Sequence, residues 1–374
     1  MTPKRADAGQ TLSKRQLNRA LLARQMLLER QKVTPLAAIE RLVGMQAQVP
    51  RPPFGGLWTR LQQFGRENLL RLVHDKKVVR ATAMRGTIHL LTAGDYRLLR
   101  PALAPILEAG ARTIVGKRMT EAPGMEELLA LGTDFFGSTP APFDDFRNLL
   151  QSRYPEHDVR ALAYTVRMGL PLVLVPTDGT WGFPSNAGFA LAEKWLGQKI
   201  PMDAPQLEKV VLRYLAAFGP ATPADAQSWS GLRALRDVFE RLRPKLVTFR
   251  DERKRELFDL PDAPRPDEDT PAPVRFLPEY DNVLLGHADR TRIVSDDDRK
   301  RLITPNLIVI GSFLVDGFVA GTWRTEEKTK IATLTLTTFG KYPRKAKAEL
   351  EQEGAAMLRF YMPEARDHVV RFAA

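Results

Sequence analysis

Val78-Val79-Arg80-Ala81-Thr82-Ala83-Met84-Arg85-Gly86-Thr87-Ile88-His89-Leu90-Leu91 decides the fold. Two apolar and β-branched runs flank Arg85-Gly86, and a glycine turn between two such runs predicts a β-hairpin. Upstream the pattern changes to helical periodicity. Over 13–30, Leu17, Ala20, Leu21, Arg24, Met26, Leu27 and Leu28 form a largely apolar face, with Ser13 as N-cap. Thr34-Pro35 opens a second helix over 34–44, because proline suits a first helical turn, and Gly44 ends it. A third helix is expected near Phe54 and another from Arg66 to His74. Several short helices closed by one hairpin outline a winged helix.

The same order of elements returns twice downstream. Helical stretches near 94–109, 124–137, 142–154 and 158–169 lead into Leu172-Val173-Leu174-Val175-Pro176, a turn at Asp178-Gly179, and Trp181-Gly182-Phe183. Stretches near 204–218, 222–229 and 231–243 lead into a strand at 245–250, a charged turn at 251–254 and a strand at 256–260. Repeated supersecondary units imply tandem domains. The expected fold is α+β, mostly α, with winged-helix units over 1–92, 93–200 and 201–260. Residues 261–273, with five prolines and four acids, read as a linker because they cannot hold a regular element. Alternation over 313–323 and 331–337, ahead of a charged helix at 344–360, predicts a β-rich, barrel-like part over 274–374.

Composition narrows the function. The 374 residues are 44% hydrophobic, enough for two or three units with cores of their own. The absence of cysteine excludes a disulfide framework and cysteine zinc sites, and no two of the five histidines share ligand spacing on a helix. Neither a metal nor a cofactor is expected. Met1-Thr2-Pro3-Lys4-Arg5-Ala6-Asp7 lacks an apolar core, and no run of eighteen apolar residues occurs, so the chain reads as cytoplasmic and independent of membranes. Net charge is +12, but its distribution says more. Residues 1–100 hold 19 Lys/Arg against 6 Asp/Glu, an excess of +13, whereas the other 274 residues hold 37 against 38. Concentrated basic charge points to a polyanion; the plainer alternative is a solvated basic face.

Gln46-Ala47-Gln48 is the leading candidate site. Two amides one residue apart, between a helix stopping at Gly44-Met45 and Val49-Pro50, project from a turn held at both ends. By residue type alone they are either a polar site or two exposed loop glutamines. From Leu17-Asn18-Arg19-Ala20-Leu21-Leu22-Ala23-Arg24-Gln25 through Gly44-Met45-Gln46-Ala47-Gln48, the chain resembles the AlkZ and YcaQ winged-helix alkylpurine DNA glycosylases. Arg85-Gly86-Thr87-Ile88-His89, Phe276-Leu277-Pro278-Glu279-Tyr280-Asp281-Asn282-Val283-Leu284-Leu285-Gly286-His287-Ala288-Asp289-Arg290 and Val315-Asp316-Gly317-Phe318-Val319-Ala320-Gly321-Thr322-Trp323 extend that resemblance over nearly the whole chain. It implies three tandem winged helices and a β-rich end forming a C-shaped channel for double-stranded DNA. It also implies a catalytic glutamine-apolar-glutamine motif at Gln46 and Gln48. Gln48, where a related branch carries aspartate, places the chain on the AlkZ side, which is associated with bulky adducts and interstrand crosslinks.

Glutamine suits one kind of glycosylase chemistry. Excising a normal base means protonating or otherwise stabilising a poor leaving group, which favours an ionisable acid that an amide cannot supply. An N7- or N3-alkylated purine is already cationic and leaves readily, so positioning water and accommodating an electron-poor sugar carbon suffice. An amide carries an acceptor and two donors, so Gln48 is expected to position water with Gln46 assisting. The expected activity is a monofunctional glycosylase, acting as a nucleoid-associated monomer. Arg51, beside the motif, and Arg85 and Thr87, at the wing, are expected DNA contacts. His89 either faces the site or packs within its strand. Arg290 and Arg292 would share a face if extended and suit phosphate contact, while Asp281 suits bracing. In the family a C-terminal hairpin enters the minor groove, and Arg324, Lys328 and Lys330 fit that role at a polar tip that is otherwise an ordinary solvated turn. An open channel would spare a bulky lesion from extrusion into a pocket.

Rival readings keep the DNA and drop the chemistry. Regulators usually carry one winged helix and dimerise on a two-fold site, whereas no dimerisation helix is evident here. An architectural or drug-sequestering binder would keep the fold without turnover. An RNA-directed protein is disfavoured by an ordinary 8% aromatic content.

Overall fold

The computed structural model describes residues 9–118, 123–306 and 308–373; the basic N-terminal heptapeptide lies outside them. Ser13 caps the helix Lys14–Arg24 through a capping box: its Oγ accepts from the Gln16 N–H at 3.1 Å, and Gln16 Oε1 accepts from the Ser13 N–H at 2.9 Å. Thr34 caps Pro35–Arg41 by its side chain alone, Oγ1 accepting from the Ala37 N–H at 3.2 Å. Gly44 then turns the chain at φ +84°, where a Cβ would stand 2.2 Å from Leu91 Cδ2. Only glycine fits both the dihedral and the space. That turn delivers the short strand Met45–Gln46 to the edge of the predicted hairpin, Val78–Thr82 and Ile88–Thr92, with Gln46 opposite His89. Helices Pro52–Trp58 and Arg66–His74 lie between.

The second hairpin departs from the reading of the sequence. Leu172–Leu174 pairs with Phe189–Leu191, not with 181–183. Residues 177–182 instead fold into a tight turn, in which the Thr177 N–H donates to Gly182 O and the Gly182 N–H to Gly179 O, each at 2.8 Å. Phe183 and Phe189 are both buried, so apolar pattern alone does not choose between them. On its other edge Leu172–Leu174 joins Val78–Thr82, so both hairpins and Met45–Gln46 share one five-stranded sheet. The helix Ala93–Arg118 runs beyond the expected 94–109 and contains Pro101 and Pro105; Met125–Ser138, Phe143–Arg153 and Val159–Gly169 follow where expected.

Helices Leu207–Phe218, Pro223–Ser230 and Arg236–Leu242 lead into the antiparallel strands Val247–Asp251 and Glu256–Asp259. Thr11–Leu12 adds a parallel strand to them, which periodicity did not reveal. The final part is not a barrel. Among the described residues it is an open five-stranded sheet, running in space from Asp367–Phe372 through Ile331–Thr338, Phe318–Lys328 and Ser312–Val315 to Arg275–Leu277. Asp367–Phe372 pairs in parallel at the far edge and never meets Arg275–Leu277, so the sheet does not close. The helix Arg344–Tyr361 covers one face, burying Leu350, Met357 and Leu358 with Leu334 and Phe276.

Charge explains how the ends of the chain hold together. Arg24 makes a bidentate pair with Asp259 at 2.7 and 2.8 Å, and Arg60 one with Asp281 at 2.7 and 2.8 Å, all four side chains being buried. Arg15 and Arg19 share Asp316, Arg30 pairs with Glu353, and Arg51 with Glu279. Six arginines of the first hundred residues therefore meet acids of the last 120 or so, the Arg24 and Arg60 pairs inside the protein and the others partly open to solvent. The segment 261–273 holds no helix or strand, as its prolines require, yet it is tied down. Arg24 donates to Pro264 O, Arg19 to Thr270 O at 2.6 Å and Arg15 to Glu268 O at 2.7 Å.

Candidate active site

The short strand Met45–Gln46 runs on into Ala47 and a bend at Gln48; Met45, Gln46 and Ala47 are buried, whereas Gln48 is exposed. The backbone from Gly44 to Gln48 is clamped from three directions. Asn282 Nδ2 donates to Gly44 O at 2.8 Å, the Ala47 N–H donates to Ile88 O at 2.8 Å, and Arg80 donates through Nε to Ala47 O at 2.9 Å and through Nη2 to Gln48 O at 3.1 Å. Arg80 is itself buried, stacked 5.2 Å from the Phe183 ring, and burial lowers its pKa to about 10. Nothing in the spacing of the sequence singles out Arg80, because its partners are carbonyls two strands away.

The side chains differ in exposure but share one device. Gln46 is only 9% exposed and its Oε1 accepts from Arg85 Nη2 at 2.8 Å. Gln48 is exposed and its Oε1 accepts from the Ile88 N–H at 3.1 Å. Each oxygen retains a second lone pair, and among the described residues neither amide nitrogen donates to the protein. Two neutral amides with fixed orientation, offering N–H groups and one acceptor position each, can hold a water molecule without providing a strong acid.

The other expected contacts differ in exposure and in partners. Arg324, Lys328 and Lys330 are exposed on the hairpin Phe318–Lys328/Ile331–Thr338, whose two tip residues Thr329 and Lys330 both have positive φ, the geometry of a tight two-residue turn. Arg290 is half-buried and its Nε donates to His287 O at 3.3 Å; burial and then Arg299 bring its pKa to about 10, so it stays cationic beside Arg85. Thr87 Oγ1 donates to Met84 O at 3.0 Å. Arg51 is engaged by Glu279 at 3.0 Å and lies over the Tyr361 ring. Arg292 is where the extended reading fails. The Ile293 and Val294 N–H groups both donate to Arg290 O, forming a turn that sends Arg292 inward, where it is 4% exposed and donates to Pro220 O at 2.9 Å. Asp281 braces, as its pairing with Arg60 shows.

His89 packs within its strand, 3% exposed, with Nδ1 3.1 Å from Thr87 O. Burial first, then the Arg85 charge, lowers its pKa to about 3; His287, 1% exposed, is likewise lowered to about 3 by burial and then by Arg292. Both are neutral in the folded protein near pH 7. Between about pH 3 and the unfolded value of about 6.5 the unfolded chain binds more protons, so stability is full above that window and is lost as pH falls through it. Each histidine contributes a slope approaching 1.4 kcal/mol per pH unit within the window. Denaturant titrations from pH 7 to 4 should therefore show a shallower decline in His89→Gln than in the parent protein; an unchanged slope would refute the buried-neutral assignment.

The chain matches the family model for "DNA glycosylase AlkZ-like" over residues 39–360. It belongs to the AlkZ-like DNA glycosylase family. Membership makes the protein a DNA glycosylase. It is similar to a curated Streptomyces sahachiroi protein named "Interstrand DNA cross-link repair glycosylase", with 26% identity over 359 residues, covering 90% of this chain and 94% of that one. Its fold is similar to that of the solved Streptomyces sahachiroi DNA glycosylase AlkZ, with a TM-score of 0.77 and 22% identity, covering 97% of this chain and all of the other. Among the described residues no helix of this AlkZ-like glycosylase is long and apolar enough to cross a membrane.

Proposed function

We propose that this AlkZ-like glycosylase hydrolyses the N-glycosidic bond of cationic N7- or N3-alkylated purines in double-stranded DNA, extending to bulky adducts and interstrand crosslinks. The observation that carries the reading is the pair Gln46 and Gln48, whose amide oxygens are both oriented by hydrogen bonds, from Arg85 and from the Ile88 N–H. Water attacks the sugar C1′, the C1′–N9 electron pair neutralises the departing base, and one proton leaves the water for solvent. Gln48, the exposed amide, holds the water, and Gln46 supports it or contacts the sugar. The name of the Streptomyces sahachiroi relative supports crosslinks as substrates. In this reading the tandem winged-helix units and the C-terminal sheet form a C-shaped channel around the duplex, the chain acts as a monomer, and the hairpin carrying Arg324, Lys328 and Lys330 enters the minor groove.

Single-turnover incubation with duplexes carrying N7-methylguanine, a bulky N7 adduct or a crosslink, followed by abasic-site detection, tests this. Base release from alkylated duplexes, and none from normal purines, is the expected result. Binding with no abasic product from any of the three would mark a DNA binder instead.

A further inference from the structure

We propose that Arg85 is a positioning residue that fixes the amide of Gln46 and couples it to the helix Pro223–Ser230, and that it does not contact phosphate. The inference rests on the reading of Gln46 as part of the reaction centre. Arg85 sits in the left-handed region, φ +56°, at the tip of the wing, a conformation that non-glycine residues adopt only when their surroundings hold it. Those surroundings are the end of Pro223–Ser230. Gly231, φ +85°, packs so closely that a Cβ there would lie 3.3 Å from Arg85 Cα and 3.4 Å from Arg85 N. The guanidinium then reaches both ways: Nη1 donates to Trp229 O in the last turn of that helix, and Nη2 donates to Gln46 Oε1 at 2.8 Å. A helix C-terminus favours a cation, and Trp229 is itself buried at 4% exposure.

The consequence for Gln46 follows from donor and acceptor types. A guanidinium offers donors only, so a flipped Gln46 amide would set N–H against N–H. Arg85 therefore compels the oxygen inward and presents the NH2 group to the site. With burial, and the Arg290 charge after it, lowering its pKa only to about 10, Arg85 remains charged at neutral pH and the orientation holds. Its planar fork spans two acceptors on separate elements, which the single ammonium of a lysine does not reproduce.

Arg85→Lys and Arg85→Gln test this against the phosphate role. Both variants are expected to slow single-turnover release of N7-methylguanine at saturating protein by roughly 10- to 100-fold, the cost of misplacing a reacting group. The Kd for undamaged duplex and the slope of log Kd against log salt should stay at the wild-type value. In 15N-labelled protein, the Gln46 side-chain amide resonances, assigned by their loss in Gln46→Ala, should shift in both variants while the melting temperature of Arg85→Lys stays near that of the parent. Wild-type rates and unmoved Gln46 resonances would overturn the proposal. So would a salt slope smaller by about 0.9 in Arg85→Gln but retained in Arg85→Lys, which is the signature of a phosphate contact. A parent protein that releases no base would overturn the reaction-centre reading itself, and it is seen before any variant is compared.

Discussion

Gln48→Ala is expected to slow single-turnover base release by about 10²- to 10³-fold, the usual cost of removing one preorganised polar group from a reaction centre. Its stability should hardly change. Gln48 is exposed, and the Ile88 N–H that it satisfies can turn to water when the side chain is gone. Gln46→Ala should differ in kind. Gln46 is 9% exposed and its oxygen is the acceptor for Arg85 Nη2, so truncation leaves that half-buried charged donor group without its acceptor while Nη1 keeps Trp229 O, and costs about 1–3 kcal/mol of stability besides the rate. Rapid-quench release of N7-methylguanine, measured beside urea titrations of both variants, separates the two. A Gln48→Ala protein releasing base at the parent rate would remove the motif from the reaction.

Asp281→Ala is expected to lose about 3–5 kcal/mol of folding stability, because it strands the fully buried guanidinium of Arg60. Arg60 would keep only carbonyl partners, Gln25 O and Gly56 O, both at 2.9 Å. The loss should not stay local. Asp281 also caps Asn282–Leu285, and Asn282 is the residue that clasps Gly44 O at the entrance to the glutamine strand, so base release should fall as well. The double replacement Arg60→Met/Asp281→Leu should recover most of the stability, since replacing a buried pair by apolar groups of similar volume is often neutral. Equilibrium unfolding of the single and double variants checks both statements. A single variant within 1 kcal/mol of the parent would contradict them.

Local signals were read correctly where local physics dominates. Ser13 and Thr34-Pro35 mark helix starts through hydrogen bonds and dihedrals confined to a few residues, and the structure has them in those roles, whereas the helix expected to run to Gly44 ends at Arg41 and Gly44 serves the turn that follows. The hairpin around Arg85-Gly86 is equally local. Signals that depend on distant partners were not legible. The strand partner of Leu172–Leu174 lies beyond a turn containing equally apolar residues, and the C-terminal sheet stays open because its last strand pairs in parallel with Ile331–Thr338, a choice that alternation does not encode. Arg292 was expected to share a phosphate-facing side with Arg290 because the two would lie on one face of an extended chain, whereas a turn at Arg290 carries it inside.

The basic first hundred residues show the division most plainly. The sequence alone determined that the charge is there and that the glutamine pair lies within it. It also determined that two amides suit a leaving group already bearing positive charge. Only the tertiary structure decided where that charge goes. Arg19, Arg24, Arg60 and Arg80 are buried and bonded to acids or carbonyls, while Arg85 turns to Gln46. A guanidinium removed from water needs partners fixed in three dimensions, and those partners, from Asp259 and Asp281 to the carbonyls of Ala47 and Trp229, are brought within reach only by the fold.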